Sequence, residues 1–259
     1  MEGVGTPSDD RLVQSVQTAI NIIISLRESD GARVTDLAAD IGMSKGTVSN
    51  HLKTLEANDF VAKNDDGTYH LGLRFLNIAH GAQSRYPVLE LVRTQTNDLA
   101  DESGETALFA TEEHGLGVVL DVAYGEYAVK TPLWVGHRDH LHHTAVGKAI
   151  LAHLPDREVQ AIIEEHGLPK KTPNTITDIE ELLEELNQIA DRGCAYNKQE
   201  TISGLVGVGA PIQSQDGDVI GGISIIGPSS RIRDQRYHDE FPEMIEKAKN
   251  VIELNLTSL

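Results

Sequence analysis

Residues 33–71, RVTDLAADIGMSKGTVSNHLKTLEANDFVAKNDDGTYHL, leave this chain few folds to choose from. Thr35 can cap a short helix whose Leu37, Ala38 and Ile41 share one face, and Gly42 ends it where a left-handed backbone suits glycine. A second helix starts at Ser44. Its Val48, Leu52 and Leu55 recur at i, i+4 and i+7 and turn inward, while Gly46, Thr47, Ser49, Asn50, Lys53 and Thr54 fall outward. That outer face is polar and carries no carboxylate. Residues 60–63 and 69–71 flank an Asp66-Gly67 turn, the pattern of a β-hairpin. Helix, turn, helix and wing is the resulting order.

A chain of 259 residues with 39% apolar content exceeds the usual size of one domain, so two folded units with separate cores are expected. The longest apolar runs, residues 19–26 and 219–226, fall far short of the ~20 residues that span a bilayer. The opening MEGVGTPSDD is acidic and unlike a signal peptide, so a cytoplasmic protein without a membrane partner is expected. Cys194 is the only cysteine, which excludes an intrachain disulfide and a thiolate metal site within one chain.

A net charge of −18 sits awkwardly with binding to nucleic acid, where lysine and arginine normally neutralise phosphates. The acid is unevenly spread. Residues 1–80 hold 7 Lys and Arg against 11 Asp and Glu, a net of −4, whereas the other 179 residues hold 15 against 29, a net of −14. Residues 43–55 contain Lys45, Lys53 and no acid. An acidic, lysine-poor chain fits a cytoplasm of very high salt, where repulsion is screened within ~3 Å. A halophilic host is therefore expected.

Residues 1–10 read as a disordered tail. Leu12, Val16, Ala19, Ile20, Ile23 and Leu26 recur at helical spacing until Ser29-Asp30-Gly31, which adds a first helix and completes a winged helix-turn-helix over residues 11–72. A linker helix follows over 73–86. Its Leu73, Phe75, Leu76, Ile78, Ala79 and Ala82 cover more than one stripe, which calls for burial on two sides and for pairing with a second subunit. Pro87 suits the first turn of another helix ending near Ser103-Gly104. From there the pattern becomes β-prone over 106–111, 117–122 and 127–131, followed by helices over 144–154, 156–166 and 178–192. In the last of these, Ile179, Leu182, Leu183, Leu186 and Ile189 form the apolar side. Strands over 204–213 and 219–227 join around Asp216-Gly217, and a helix over 237–256 closes the chain. Strands that do not alternate strictly with helices make the fold class α+β.

Three stretches together resemble the IclR family of bacterial and archaeal transcriptional regulators. They are the winged helix with Ser44-Lys-Gly-Thr-Val and Tyr69-His-Leu-Gly-Leu-Arg74; Leu141-His-His-Thr-Ala-Val-Gly-Lys-Ala-Ile-Leu151; and the run from Gly193 through Glu200, Gly204 and Ala210-Pro211 to Gly222-Ile-Ser-Ile-Ile-Gly-Pro228. The resemblance implies a winged-helix DNA-binding domain, a linker helix and a GAF-like α/β effector-binding domain over 87–259, assembled as a homodimer or homotetramer. It also implies a metabolite-modulated regulator of a catabolic operon on a palindromic operator.

The major groove admits one α-helix, whose outward polar side chains reach base edges. Asn50 suits adenine, Lys53 a guanine or a phosphate, and Gly46 permits close approach; Thr47 and Ser49 share that face. Ser44 and Lys45 at the helix start suit a phosphate, and Lys63 on the wing adds a backbone contact. The resemblance places an effector pocket at Ala145, Val146, Asn197, Gly207, Ser224 and Ile226. Amides at the start of the helix, Ala145 and Val146, point to an anion such as an organic acid. The family usually has an acid where Asn197 stands, cysteine at Gly207 and often serine at Ile226, so effector identity does not carry over.

His137, His140, His142 and His143 fall within seven residues, in a segment that reads as an irregular, solvated loop. No metal or other cofactor is expected. The competing reading is a metal-binding sensor, or a protein-interaction module whose winged helix does not read DNA. Neither a Gly-x-Ser-x-Gly elbow nor a His-Glu-x-x-His pair is present, so no catalytic residues are assigned and no enzymatic activity is expected.

Overall fold

The computed structural model describes residues 12–256, so the expected tail at 1–10 lies outside the described residues. The chain divides between Arg85 and Tyr86 into two compact units. The first contains α1 (Gln14–Ser29), α2 (Val34–Asp40), α3 (Lys45–Ala57), the hairpin β1 (Val61–Lys63) and β2 (Tyr69–Leu71), and α4 (Arg74–Gln83). Its core is Ile22, Leu26, Leu37, Val48, Leu52, Val61 and Tyr69, drawn from every element except α4.

Local chemistry sets these boundaries, with one correction. Ser44 Oγ accepts from the Thr47 amide at 3.1 Å and opens α3, and Gly42 takes φ +67° in the turn before it. Thr35, expected as a cap, instead lies inside α2; the Asp36 carboxylate reaches back to accept from the Arg33 amide at 3.2 Å. The hairpin pairs Val61 with Leu71 and Lys63 with Tyr69, as the Asp66-Gly67 turn requires.

Two helices depart from expectation. On α1 the buried ridge is Thr18, Ile22, Ser25 and Leu26, while Leu12, Val13, Val16, Ile20 and Ile24 stay exposed. Helix α1 is apolar on several sides, so periodicity alone cannot say which stripe meets the core. Helix α4 buries no residue within the chain, against the expectation of burial on two sides, and Leu73, Leu76 and Ile78 are exposed.

The second unit is built on α5 (Leu89–Ser103), β3 (Thr106–Glu113), β4 (Leu116–Tyr124), β5 (Arg138–His140), α6 (Ala145–Leu151), α7 (Asp156–His166), α8 (Ile179–Arg192), β6 (Ala195–Lys198), β7 (Leu205–Gln213), β8 (Val219–Pro228) and α9 (Phe241–Leu256). One antiparallel sheet runs in the order β5-β4-β3-β8-β7-β6. Alternation along the strands divides its side chains between two cores. Phe109, Val208, Ile223 and Ile225 join Val92, Leu99, Phe241 and Ile245 of α5 and α9. Leu108 and Ala110 join Val146, Ile150, Ile163, Leu182 and Leu186 of α6, α7 and α8 on the other side. The fold is α+β.

Residues 127–131 form no strand. The Tyr127 amide donates to Gly104 O at 2.8 Å and its carbonyl accepts from Arg231, so the backbone is satisfied without a ladder. The third strand of this region is β5 instead, inside the histidine run expected to be an irregular loop. Helix α6 stops at Leu151 and α8 exposes Ile179 and Leu183, leaving Leu182, Leu186 and Ile189 inward. Pro87 precedes the first turn of α5 rather than occupying it.

Candidate functional site

In the first unit, α3 presents Lys45, Gly46, Asn50 and Lys53 as exposed positions, with Thr47 and Ser49 half-buried between them. Ser44 is exposed, but its hydroxyl is occupied by the Thr47 amide and by Thr47 Oγ1 at 2.9 Å. Lys63 stands on the wing with its ammonium 5.4 Å from the centroid of the Tyr69 ring. The rigid core under α3, Val48 and Leu52, fixes the direction in which Asn50 and Lys53 project.

The second unit contains a cavity of about 260 Å³ between the sheet, the start of α6 and the segments at 131–139 and 197–202. Ala145, Val146, Asn197, Gly207, Ser224 and Ile226 all line it. Much of the remaining wall is apolar, including Leu108, Val119, Leu133, Leu205 and Val206. Helix α6 reaches the cavity because β7 is bare beneath it. A Cβ on Gly209 would lie 2.9 Å from Ala145 C and Val146 N, so only glycine lets the helix start rest on the strand.

The polar groups of the wall fall into two sets. Asn197 is fully engaged by the protein: its Nδ2 donates to His143 O at 2.8 Å and to Thr201 Oγ1 at 2.7 Å, and its Oδ1 accepts from the Glu200 amide at 2.9 Å. Ser224 Oγ and Thr131 Oγ1 are buried with no hydrogen-bond partner among the described residues. Both residues line the cavity, and an unmet buried hydroxyl is costly unless something else satisfies it.

Asp139 occupies the rim with Lys171 Nζ 3.8 Å away, and both line the cavity with His137. Burial pushes the Asp139 carboxyl up, but the imidazoles of His137, His140 and His143 around it outweigh this and hold it well below the usual carboxylate range. His142 and His143 are buried, not solvated as expected for a loop. Burial, aided by the charge of His143, pushes the His142 imidazole down to about 4, and its Nε2 lies 3.2 Å from Pro169 O.

Sequence reasoning missed the strap beneath this site. Lys148 and Glu200 form a buried pair with Nζ to Oε1 and Oε2 at 2.7 and 2.9 Å, tying α6 to the bend that follows β6 and carries Thr201. Burial lowers the Lys148 ammonium, and the Glu200 charge opposes that shift. Both residues stood in the quoted motifs, but nothing in their spacing says that they meet. Thr131 and Lys171 carried no signal at all.

A winged helix and a separate domain with an enclosed, mostly apolar cavity together define a one-component, ligand-responsive regulator of transcription. The chain belongs to the IclR family: residues 80–253 match the bacterial transcriptional regulator IclR C-terminal domain. Residues 17–63 match the helix-turn-helix described as bacterial regulatory protein, arsR family. It is 31% identical, over 96% of its length and 95% of the relative, to a probable HTH-type transcriptional regulator ArcR from Halobacterium salinarum. With the HTH-type transcriptional repressor AllR of Escherichia coli it shares 29% identity over 96% and 93% of the two chains. Among solved structures, the Thermotoga maritima IclR aligns with a TM-score of 0.80 at 26% identity, covering 94% of this chain and 98% of that one. An IclR homolog from Microbacterium hydrocarbonoxydans complexed with 4-hydroxybenzoate shares the fold, with a TM-score of 0.80 at 20% identity over 95% and 100% of the chains. Among the described residues, no helix is long and apolar enough to cross a membrane.

Proposed function

We propose that the exposed face of α3 reads a palindromic operator through Asn50 and Lys53, and that the cavity of the second unit takes a small metabolite that decides when. The observation that carries the effector reading is the cavity itself: six residues from four separate elements converge on it, and two of its buried hydroxyls are unmet. The domain roles follow as residues 11–72 for DNA, 73–86 as linker and 87–259 for effector. Binding rather than catalysis is the mode of action, in the cytoplasm of a high-salt host, in line with relatives named as regulators. A catabolic operon is the target the resemblance favours.

Cavity chemistry refines the ligand. Helix α6 is seven residues long, too short to favour an anion strongly, and Lys171 is already paired with Asp139. The fitting molecule has an apolar body, with hydroxyl or carbonyl groups that meet Ser224 and Thr131. The 4-hydroxybenzoate held by the Microbacterium homolog is of this general kind. Asn197 then shapes the wall instead of touching the ligand.

The test of DNA reading is a mobility-shift assay against the protein's own upstream DNA at several salt concentrations. Asn50→Ala and Lys53→Ala are each expected to weaken specific binding roughly 5- to 150-fold, corresponding to about 1–3 kcal/mol for a good base contact, with unchanged circular dichroism. Equal affinity for palindromic and random DNA at every salt would remove the regulator mechanism. Unchanged affinity in both variants would remove the named face.

A further inference from the structure

Arg74 stands where its own helix argues against it. It opens α4, and a cation at a helix N-terminus meets the positive end of the dipole, where an acid is the favourable choice. Its side chain turns instead to the C-terminal end of α3. There Asp59, at φ +62°, leads the chain out of the helix, and Arg74 Nη1 donates to Asn58 O at 3.1 Å. The guanidinium lies 5.4 Å from the centroid of the Phe60 ring, with Nη1 3.7 Å from Asp59 Oδ2. A cation at a helix C-terminus is favourable, so α3 gains what α4 loses.

Two neighbours close the joint. Phe75 sets its ring edge-on to Phe60 with centroids 5.3 Å apart, and the Gly72 amide donates to Phe60 O at 2.8 Å. A Cβ on Gly72 would collide with Asp59 O, so glycine is what lets the backbone rest against the turn that ends α3. Helix α4 has no buried residue to hold it further along, and its direction therefore rests on this first turn. The exposed Leu73, Leu76 and Ile78 of the α4 segment then stand at a set angle to Asn50 and Lys53 on α3.

We propose that Arg74 is a positioning residue for operator reading: it locks the linker helix to the end of the recognition helix, so that pairing of two α4 helices sets the distance between two α3 helices. The proposal rests on α3 reading DNA. Within the lock, the ion pair with Asp59 contributes little, because the two side chains are 48% and 84% exposed. The bond to the Asn58 carbonyl and the contact with the Phe60 ring give the lock its direction, through a planar group that donates along its edge and stacks by its face. A lysine ammonium cannot serve both at once.

The test is a mobility-shift series with full-length protein on operators from its own upstream DNA whose half-sites are moved together or apart, with an isolated half-site as the control. Wild type is expected to prefer one spacing and to lose roughly tenfold or more in affinity away from it. Arg74→Ala is expected to bind that spacing more weakly and to vary by about threefold or less across the series, with half-site affinity and circular dichroism equal to wild type. Arg74→Lys is expected to fall between the two. A spacing profile as steep in Arg74→Ala as in wild type would overturn the proposal. So would half-site affinity that falls in parallel, which would make Arg74 a DNA contact or a support of the fold. Should Arg74→Ala fail to fold, a wild-type profile in Arg74→Lys overturns the proposal on its own. Wild type that prefers no palindrome removes the DNA reading and the proposal together, a result visible before any variant is made.

Discussion

His142 turns burial into a pH dependence. Its imidazole titrates near 6.5 when unfolded but at about 4 in the folded chain, because burial and neighbouring His143 and His140 oppose its charge while Asp139 favours it. Between those values the unfolded state binds the extra proton, so stability is full above about pH 6.5 and declines as pH falls toward 4. His142→Gln keeps a donor for Pro169 O and removes the titration. Its urea midpoint is expected to fall less than that of wild type over this window. Gly207 offers a second residue-scale test. A Cβ there meets Ile225 O at 3.2 Å and Ile226 Cγ1 at 3.5 Å, so a bulkier side chain must grow into the cavity. Gly207→Leu is expected to abolish effector-dependent change in a mobility shift while operator affinity without effector stays unchanged.

Elements were legible where local chemistry decides them. Ser44, Gly42, Val48, Leu52 and the Asp66-Gly67 turn each act within a few residues, so the winged helix could be read directly. The edge strands β5 and β6 could not, because Arg138-Asp-His140 and Ala195-Tyr-Asn-Lys198 lack apolar alternation and owe their form to the partners β4 and β7. The α1 face failed for the opposite reason, an excess of apolar positions. Of the candidate site, the family resemblance found six lining residues, but His143 with Thr201, or Lys148 with Glu200, are pairs more than fifty residues apart that no spacing reveals. The contact of α6 with β7 gives the test at this scale. Gly209→Ala forces the helix start off the strand and is expected to cost about 1–3 kcal/mol in urea unfolding.

At the scale of the whole molecule, the apolar faces left open on α1 and α4 call for a second copy of the chain. Val16 is 56% exposed and Leu76 67%, values that an isolated protomer in water would keep only at a cost in solubility. Val16→Glu with Leu76→Glu is expected to give a monomer by sedimentation and to weaken binding to a two-half-site operator, with the isolated units still folded by circular dichroism. The charge of −18 adds a collective property: it repels DNA as a whole, a repulsion that rising salt screens, while the counterion release behind each lysine–phosphate contact weakens with the same rise. The Lys148–Glu200 pair obeys a different rule. Enclosed in protein at 2.7 Å, it lies beyond the reach of mobile ions that erase surface attractions over ~3 Å in molar salt. One chain thus holds two electrostatic regimes, and a shift in the ionic strength of its surroundings retunes how tightly it holds DNA without reshaping the cavity proposed for the effector.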